Sequence, residues 1–181
     1  MDDRIITING KRFKPYMDRE QINTVVHDVA MAISHDLKGK SPLFCPTLTG
    51  AYIFMADLAR ALDFDVETFF VKYNSYQGMH STGKVETTIP FPQKCTGRHV
   101  VIVEDIVDTG ITMRFMIDEL KALNPASIRI ATLLFKPFSF KYNFKIDYVG
   151  RQIPDDFIVG YGMDYDEQGR GYGDIYVVDQ N

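Results

Sequence analysis

Three carboxylates crowd one short stretch of this chain. Val100–Val103 supplies four aliphatic residues, Glu104 and Asp105 follow at once, and Asp108 opens the turn Asp108-Thr109-Gly110. Neighbours in a strand point to opposite faces, so Glu104 and Asp105 diverge and can hold two different groups, such as adjacent sugar hydroxyls or metal-bound water. Asp108, Thr109, Gly110, Ile111 and Thr112 then wrap into the start of a helix, whose first backbone N–H groups converge on a point that favours an anion. Gly110 removes a Cβ where the backbone must come close, and Thr109 and Thr112 add hydroxyl donors. The combination reads as a phosphate cradle with acids behind it, suited to a sugar phosphate and Mg²⁺. An isolated Asp-Thr-Gly is more often a helix cap beside solvated acids; the aliphatic run and the Glu-Asp pair ahead of it reverse that balance.

A cradle of this kind needs a buried strand before it and a helix after it, and the chain supplies both repeatedly. Ile5–Ile8, Asn9-Gly10 and Lys11–Phe13 read as a hairpin, since Asn-Gly suits a type I′ turn. Asp18 with Gln21 resembles a capping pair, and Ile22, Val25, Val26, Val29, Ala30, Ile33 and Leu37 keep one apolar stripe at helical spacing. A strand is expected over Pro42–Leu48, then the turn Thr49-Gly50, then a helix with Ala51, Phe54, Met55, Leu58 and Leu62 inward. Val66–Val71 and Val100–Val103 read as strands. Met113, Met116, Ile117 and Leu120 mark the helix after the acidic turn, ended by Asn124-Pro125, and Ile128–Phe135 is the next strand. Strand–helix alternation with short turns implies a parallel sheet covered by helices. Ligands of such sheets bind beyond the carboxyl ends of the strands. Thr49-Gly50, Glu104–Thr112 and Lys136-Pro137 all lie at such ends. Residues 74–95 have no period and are rich in Gly, Ser, Thr and Pro, which suits a lid or a β-ribbon. The short β-like runs Tyr148–Gly150, Phe157–Tyr161 and Ile175–Val178 read as a flap beside the sheet.

Length and composition narrow the class. The 181 residues, 45% hydrophobic and 24% charged, fit one globular domain. A net charge of −4 argues against a nucleic-acid partner, while leaving room for an anion held by backbone amides and metal. Two cysteines, Cys45 and Cys95, form no metal or disulfide pattern. The start is charged and turn-rich, unlike a signal peptide. No apolar run approaches membrane-spanning length, and the cytoplasm is the expected compartment.

The stretch VVIVEDIVDTGITM resembles the phosphoribosyl-diphosphate (PRPP) signature of type I phosphoribosyltransferases, and the chain is similar more narrowly to the hypoxanthine/guanine members. Leu48-Thr49-Gly50-Ala51 falls where that family binds pyrophosphate. Ser75-Tyr76 with Ser81-Thr82-Gly83 resembles its mobile catalytic loop. Leu133–Pro137 resembles the strand end whose lysine reads the purine, and Ile153–Tyr165 the purine-pocket segment. The resemblance implies an α/β fold, a central parallel sheet flanked by helices. The core would span about residues 18–145, the hood about 1–17 and 146–181, and the mobile loop about 74–95. It implies Mg²⁺-dependent phosphoribosyl transfer to a 6-oxopurine, and a homodimer or homotetramer.

Residue by residue, the resemblance assigns Glu104 and Asp105 to the ribose hydroxyls and metal, and Asp108–Thr112 to the 5′-phosphate. Asp108 is also the general base for the purine N7 proton. Thr49, Gly50 and Arg170 go to pyrophosphate, and Asp164 to Mg²⁺ and the purine end. Lys136 goes to the 6-oxo group, Phe157 to stacking on the purine and the Ile158 backbone to its edge. Thr49 departs from the lysine many members carry there, and Ile111 from a basic residue found in some. A PRPP-sensing regulator would need a nucleic-acid-binding element that the sequence lacks. A Mg²⁺-binding receiver domain would leave Ser75-Tyr76 and the purine-pocket segment unexplained.

Overall fold

A hairpin opens the chain. β1 (Ile6–Ile8) and β2 (Lys11–Met17) pair antiparallel about Asn9-Gly10, both at positive φ. Helix α1 (Arg19–Leu37) follows at a capping box: Asp18 accepts from the Gln21 amide at 2.8 Å, and Gln21 Oε1 accepts from the Asp18 amide at 3.1 Å. Its buried stripe is Ile22, Val25, Val26, Val29, Ala30, Ile33 and Leu37. The computed structural model describes residues 5–75 and 85–179, and all that follows concerns those.

The central sheet holds β3 (Leu43–Leu48), β4 (Glu67–Thr68), β5 (Val71–Ser75), β6 (Val85–Ile89), β7 (His99–Val107), β8 (Ser127–Phe135) and β9 (Tyr148–Gln152). Their order is β6-β5-β3-β7-β8-β9 with β4 beside β3, and all pairs are parallel except β5–β6. Helix α2 (Tyr52–Ala61) joins β3 to β4, and α3 (Ile111–Ala122) joins β7 to β8. Strand alternation sorts β7 between two cores. Val101 and Val103 pack with α1 and α2, while Val100 and Ile102 pack with Met113, Met116, Ile117 and Leu120 of α3. A second, antiparallel sheet runs β1-β2-β11-β10, with β10 (Ile158–Val159) and β11 (Ile175–Val178) brought against the hairpin. Among the described residues no helix is long and apolar enough to cross a membrane.

Several boundaries differ from those the sequence suggests. β7 does not stop at Val103. It continues in register with β8 through Val107 opposite Phe135, so Glu104 and Asp105 lie inside a strand. Pairing on the β8 side is what extends it, overriding the weak strand preference of acidic residues. The chain from Ile146 does not belong wholly to the flap: β9 pairs parallel with β8 and completes the central sheet. No helix precedes it, since residues 136–147 run as turn and coil, so the usual helical crossover signal is missing. Within residues 74–95, Val85–Ile89 forms a ribbon with β5, one of the forms expected there. Tyr76 and Ser81-Thr82-Gly83 lie outside the described residues.

Candidate active site

Parallel pairing puts the carboxyl ends of β3, β7 and β8 on one edge of the sheet. Val107 and Phe135 are register partners, so the residues that follow, Asp108 and Lys136, emerge side by side. The Lys136 Nζ donates to Asp108 Oδ2 at 3.0 Å. The lysine side chain is 9% exposed and the aspartate side chain 45%, so a buried ammonium is held against a carboxylate that still faces solvent.

Helix α3 starts just beyond Asp108. Its N-cap is Gly110 at φ 81°, and no side-chain hydrogen bond caps it among the described residues. Thr109 Oγ1 receives only a 3.5 Å contact from the Ile111 amide. Among the described residues Asp108 thus does not cap the helix and Thr109 makes only this long contact, and the first amides of α3 have no intrahelical acceptors. A Cβ at Gly110 would lie 2.6 Å from the Phe140 ring, in a backbone conformation that side chains rarely adopt. Ile111 and Thr112 form the first turn of α3.

Glu104 and Asp105 part company. Glu104 is buried on the Thr47 side, and its Oε2 has no hydrogen-bond partner among the described residues. Burial pushes its carboxyl up to about 8; the Asp105 charge adds to this and a Thr47 hydrogen bond opposes it. Asp105 lines a cleft of about 720 Å³ together with Thr49, Gly50, Asp164 and Arg170. Burial raises Asp105 to about 6, against the pull of backbone amides and the Arg170 charge. Gly50 is small because the acid is there: a Cβ on it would overlap the Asp105 carboxylate. The peptide Leu48–Thr49 is cis.

The opposite wall comes from residues 157–170. Arg170 Nη2 pairs with Asp164 at 2.8 Å and Glu167 at 3.2 Å, and its Nη1 donates to the Gly162 carbonyl at 2.9 Å. Phe157 is 43% exposed, so it is not a core residue. Its ring lies 5.7 Å from Tyr165, edge to face, and 6.3 Å from Phe13. Ile158 sits on β10, the edge strand. The Val178 amide donates to the Phe157 carbonyl, so ladder alternation turns the polar groups of Ile158 toward the open edge. Ser75 ends β5 opposite Val85.

Reading the sequence misses Lys72, which lines the same cleft as Thr49 and Arg170. It is the register partner of Leu48, so a cation on the neighbouring strand stands next to the turn that carries threonine. Within the described residues it forms no ion pair, whereas Arg170 is shared between two carboxylates. The signal was a lysine in an otherwise half-buried strand, which means little until the pairing of β3 with β5 is known. The expected metal residues are not gathered at one point: among the described residues no three His, Cys, Asp or Glu side chains form a metal cage. Strand alternation is the reason, since it sends Glu104 to the α3 side and Asp105 to the cleft.

Comparison with known proteins identifies the family. The model of the phosphoribosyl transferase domain matches residues 16–166. A hypoxanthine-guanine phosphoribosyltransferase of Aquifex aeolicus is 36% identical over 174 residues, covering 95% of this chain and 98% of that protein. A hypoxanthine-guanine-xanthine phosphoribosyltransferase of Tritrichomonas foetus is 35% identical over 82% of this chain and 81% of its own length. The crystal structure of a hypoxanthine-guanine phosphoribosyltransferase from Bacillus anthracis superposes with a TM-score of 0.86 at 36% identity, covering 92% of this chain and 98% of that one. With its fold, its strand-end cleft and these relatives in agreement, the chain belongs to the phosphoribosyltransferase family, in the hypoxanthine-guanine branch.

Proposed function

We propose that this protein transfers the 5-phosphoribosyl group of PRPP to hypoxanthine and guanine in purine salvage, releasing pyrophosphate. The observation that carries the purine end is the Lys136–Asp108 pair at 3.0 Å, a buried ammonium beside a solvent-facing carboxylate. An ammonium only donates, which suits a 6-oxo oxygen. The carboxylate accepts, which suits an N7 proton in the same ring plane. Phe157, part exposed, supplies a stacking face, and the open edge of Ile158 supplies backbone groups.

The rest of the cleft divides by charge. The amides of Gly110, Ile111 and Thr112, with the hydroxyls of Thr109 and Thr112, take the 5′-phosphate. Asp105 serves the ribose hydroxyls, with Glu104 behind it on the other face of β7. Thr49, Gly50, Lys72 and Arg170 take the pyrophosphate, with Lys72 standing in for the charge that position 49 lacks. The bond from C1 of the ribose to pyrophosphate oxygen breaks, and a bond from the purine N9 to C1 forms. Asp108 accepts the N7 proton as it does so. Lys136 holds the ring so that N9 points at C1.

Mg²⁺ fits these residues. The carboxylates of Asp105 and Asp164 line the same cleft and offer oxygen ligands. Magnesium ions are usually held by one or two carboxylates together with substrate phosphates and water, so a full protein cage is not needed. Asp164 and Asp105 would hold the ion, while Glu104 lies on the other face of β7. Neutralising charge on the leaving pyrophosphate is the chemistry Mg²⁺ supplies when bound. Mixing protein, PRPP, Mg²⁺ and hypoxanthine should give inosine monophosphate and one equivalent of pyrophosphate. No nucleotide product after hours at micromolar enzyme would refute the reading. By the same family reading the protein is a cytoplasmic homodimer or homotetramer, which sedimentation would test; a monomer at micromolar concentration would refute it.

A further inference from the structure

The pyrophosphate end of the cleft depends on a hydrogen bond made outside it. Tyr161 is 4% exposed, and its hydroxyl donates to Asp57 Oδ2 at 2.5 Å, bridging 104 residues. Asp57 lies on α2, the helix that follows the Thr49-Gly50 turn directly, and it also pairs with Arg60 one turn on. The backbone beside Tyr161 holds two parts of the cleft. A Cβ on Gly162 would run into the Gly50 carbonyl, so the two backbones lie in contact. The Gly162 carbonyl accepts from Arg170 Nη1 at 2.9 Å, and the Gly162 amide donates to the Arg170 carbonyl at 3.0 Å. The Tyr161 amide in turn donates to the Tyr172 carbonyl at 2.8 Å. One dipeptide, Tyr161-Gly162, therefore touches the Gly50 turn, carries Arg170 and is tied to α2 by a single buried phenol.

We infer that the Tyr161–Asp57 hydrogen bond is a positioning device that sets the spacing between the Thr49-Gly50 turn and Arg170, and so governs the binding of pyrophosphate and PRPP but not of the purine. This rests on the functional reading given above. Lys136 and Asp108 are positioned by β7 and β8, and Phe157 and Ile158 by the ladder with β11; among the described residues the Tyr161–Asp57 hydrogen bond belongs to neither ladder. Loss of the phenol's bond therefore frees the pyrophosphate end and leaves the purine end in place. The partly exposed Asp57 carboxylate makes the bond charge-assisted. Its loss corresponds to roughly a ten- to hundredfold change in an equilibrium it controls.

The test compares Tyr161→Phe, Asp57→Ala and Asp57→Asn with the wild-type protein in steady-state kinetics, varying PRPP and hypoxanthine separately, with pyrophosphate affinity measured by calorimetry. Tyr161→Phe and Asp57→Ala should each raise KM for PRPP about tenfold or more and weaken pyrophosphate by a similar factor, with KM for hypoxanthine within about twofold. Asp57→Asn keeps a carbonyl oxygen for the phenol and should recover much of the loss. The double variant Tyr161→Phe/Asp57→Ala should be no worse than the poorer single variant. If either variant fails to fold, the other, together with Asp57→Asn, decides. An unchanged KM for PRPP, an equal rise in both KM values, or fully additive single losses would overturn the inference. A wild-type protein with no transferase activity would instead overturn the functional reading, and pyrophosphate affinity would still test the clamp.

Discussion

Lys136→Met removes the ammonium from the purine end and keeps the aliphatic stem. The residue is 7% exposed, so its charge acts at a site largely closed to water. A hydrogen bond to a charged group contributes about 1.5–3 kcal/mol, and about 1.4 kcal/mol is tenfold. The kcat/KM for hypoxanthine should therefore fall by roughly 10- to 150-fold. The Asp108 side chain is 45% exposed, so water replaces the lost ammonium and the general base survives. This keeps the fall well short of what loss of Asp108 itself would cause. Adenine behaves differently. In the native protein its 6-amino group would face a buried donor with no acceptor, and sites built around such a bond reject the mismatched base by roughly 10⁴. Removing the ammonium removes that penalty, so activity on adenine should stay level or rise. The hypoxanthine-to-adenine ratio of kcat/KM should thus narrow by about two orders of magnitude. Initial rates with each base at saturating PRPP measure it. A ratio unchanged within about threefold would refute the role given to Lys136.

The other predictions use the same assay. Asp108→Asn keeps the turn but cannot accept a proton, so kcat should drop by roughly 10²–10⁴ with little change in PRPP affinity; a kcat within about twofold of wild type would remove Asp108 as the base. EDTA should abolish turnover, and Asp164→Ala should raise the Mg²⁺ concentration needed for half-maximal rate; an unshifted titration would take Asp164 out of the metal site. Lys72→Met should raise KM for PRPP by roughly fivefold or more, because no other unpaired cation among the described residues lines that part of the cleft. Double substitution Lys72→Met/Thr49→Lys should restore it if a charge at either place serves, and failure to restore would count against the substitution of one cation for the other.

What the sequence discloses and what it hides follow from the range of the interactions. The capping box at Asp18, the stripe of α1 and the core face of α3 rest on neighbours within a few turns, so periodicity reads them directly. The Asp-Thr-Gly turn is legible for the same reason, since cradle and helix start are contiguous. Strand ends are another matter. Nothing local tells that Glu104 and Asp105 remain in β7; that comes from β8, more than twenty residues on. Tyr148–Gly150 reads as β-like, but the place of β9 in the central sheet is hidden because it returns there without a helix. The second sheet is hidden for a stronger reason, since β2 and β11 lie at opposite ends of the chain. The same holds for Lys72, whose meaning appears only once β5 is laid beside β3, and for Tyr161, whose phenol reaches a residue 104 positions away. Resemblance to a family carries across such distances where periodicity cannot, but it names only the residues that match its motifs, and Lys72 and Asp57 are in none of them.

If one cleft at the ends of β3, β7 and β8 holds nucleotide as proposed, the base lies at Lys136 and Asp108 and the phosphate on the turn into α3. A crystal structure with inosine monophosphate bound tests it most directly. Lys136 Nζ should then lie within hydrogen-bond distance of the 6-oxo oxygen, Asp108 within hydrogen-bond distance of N7, and the 5′-phosphate on the amides of Gly110, Ile111 and Thr112. A nucleotide bound with its phosphate elsewhere, or with its base turned away from Lys136, would contradict it.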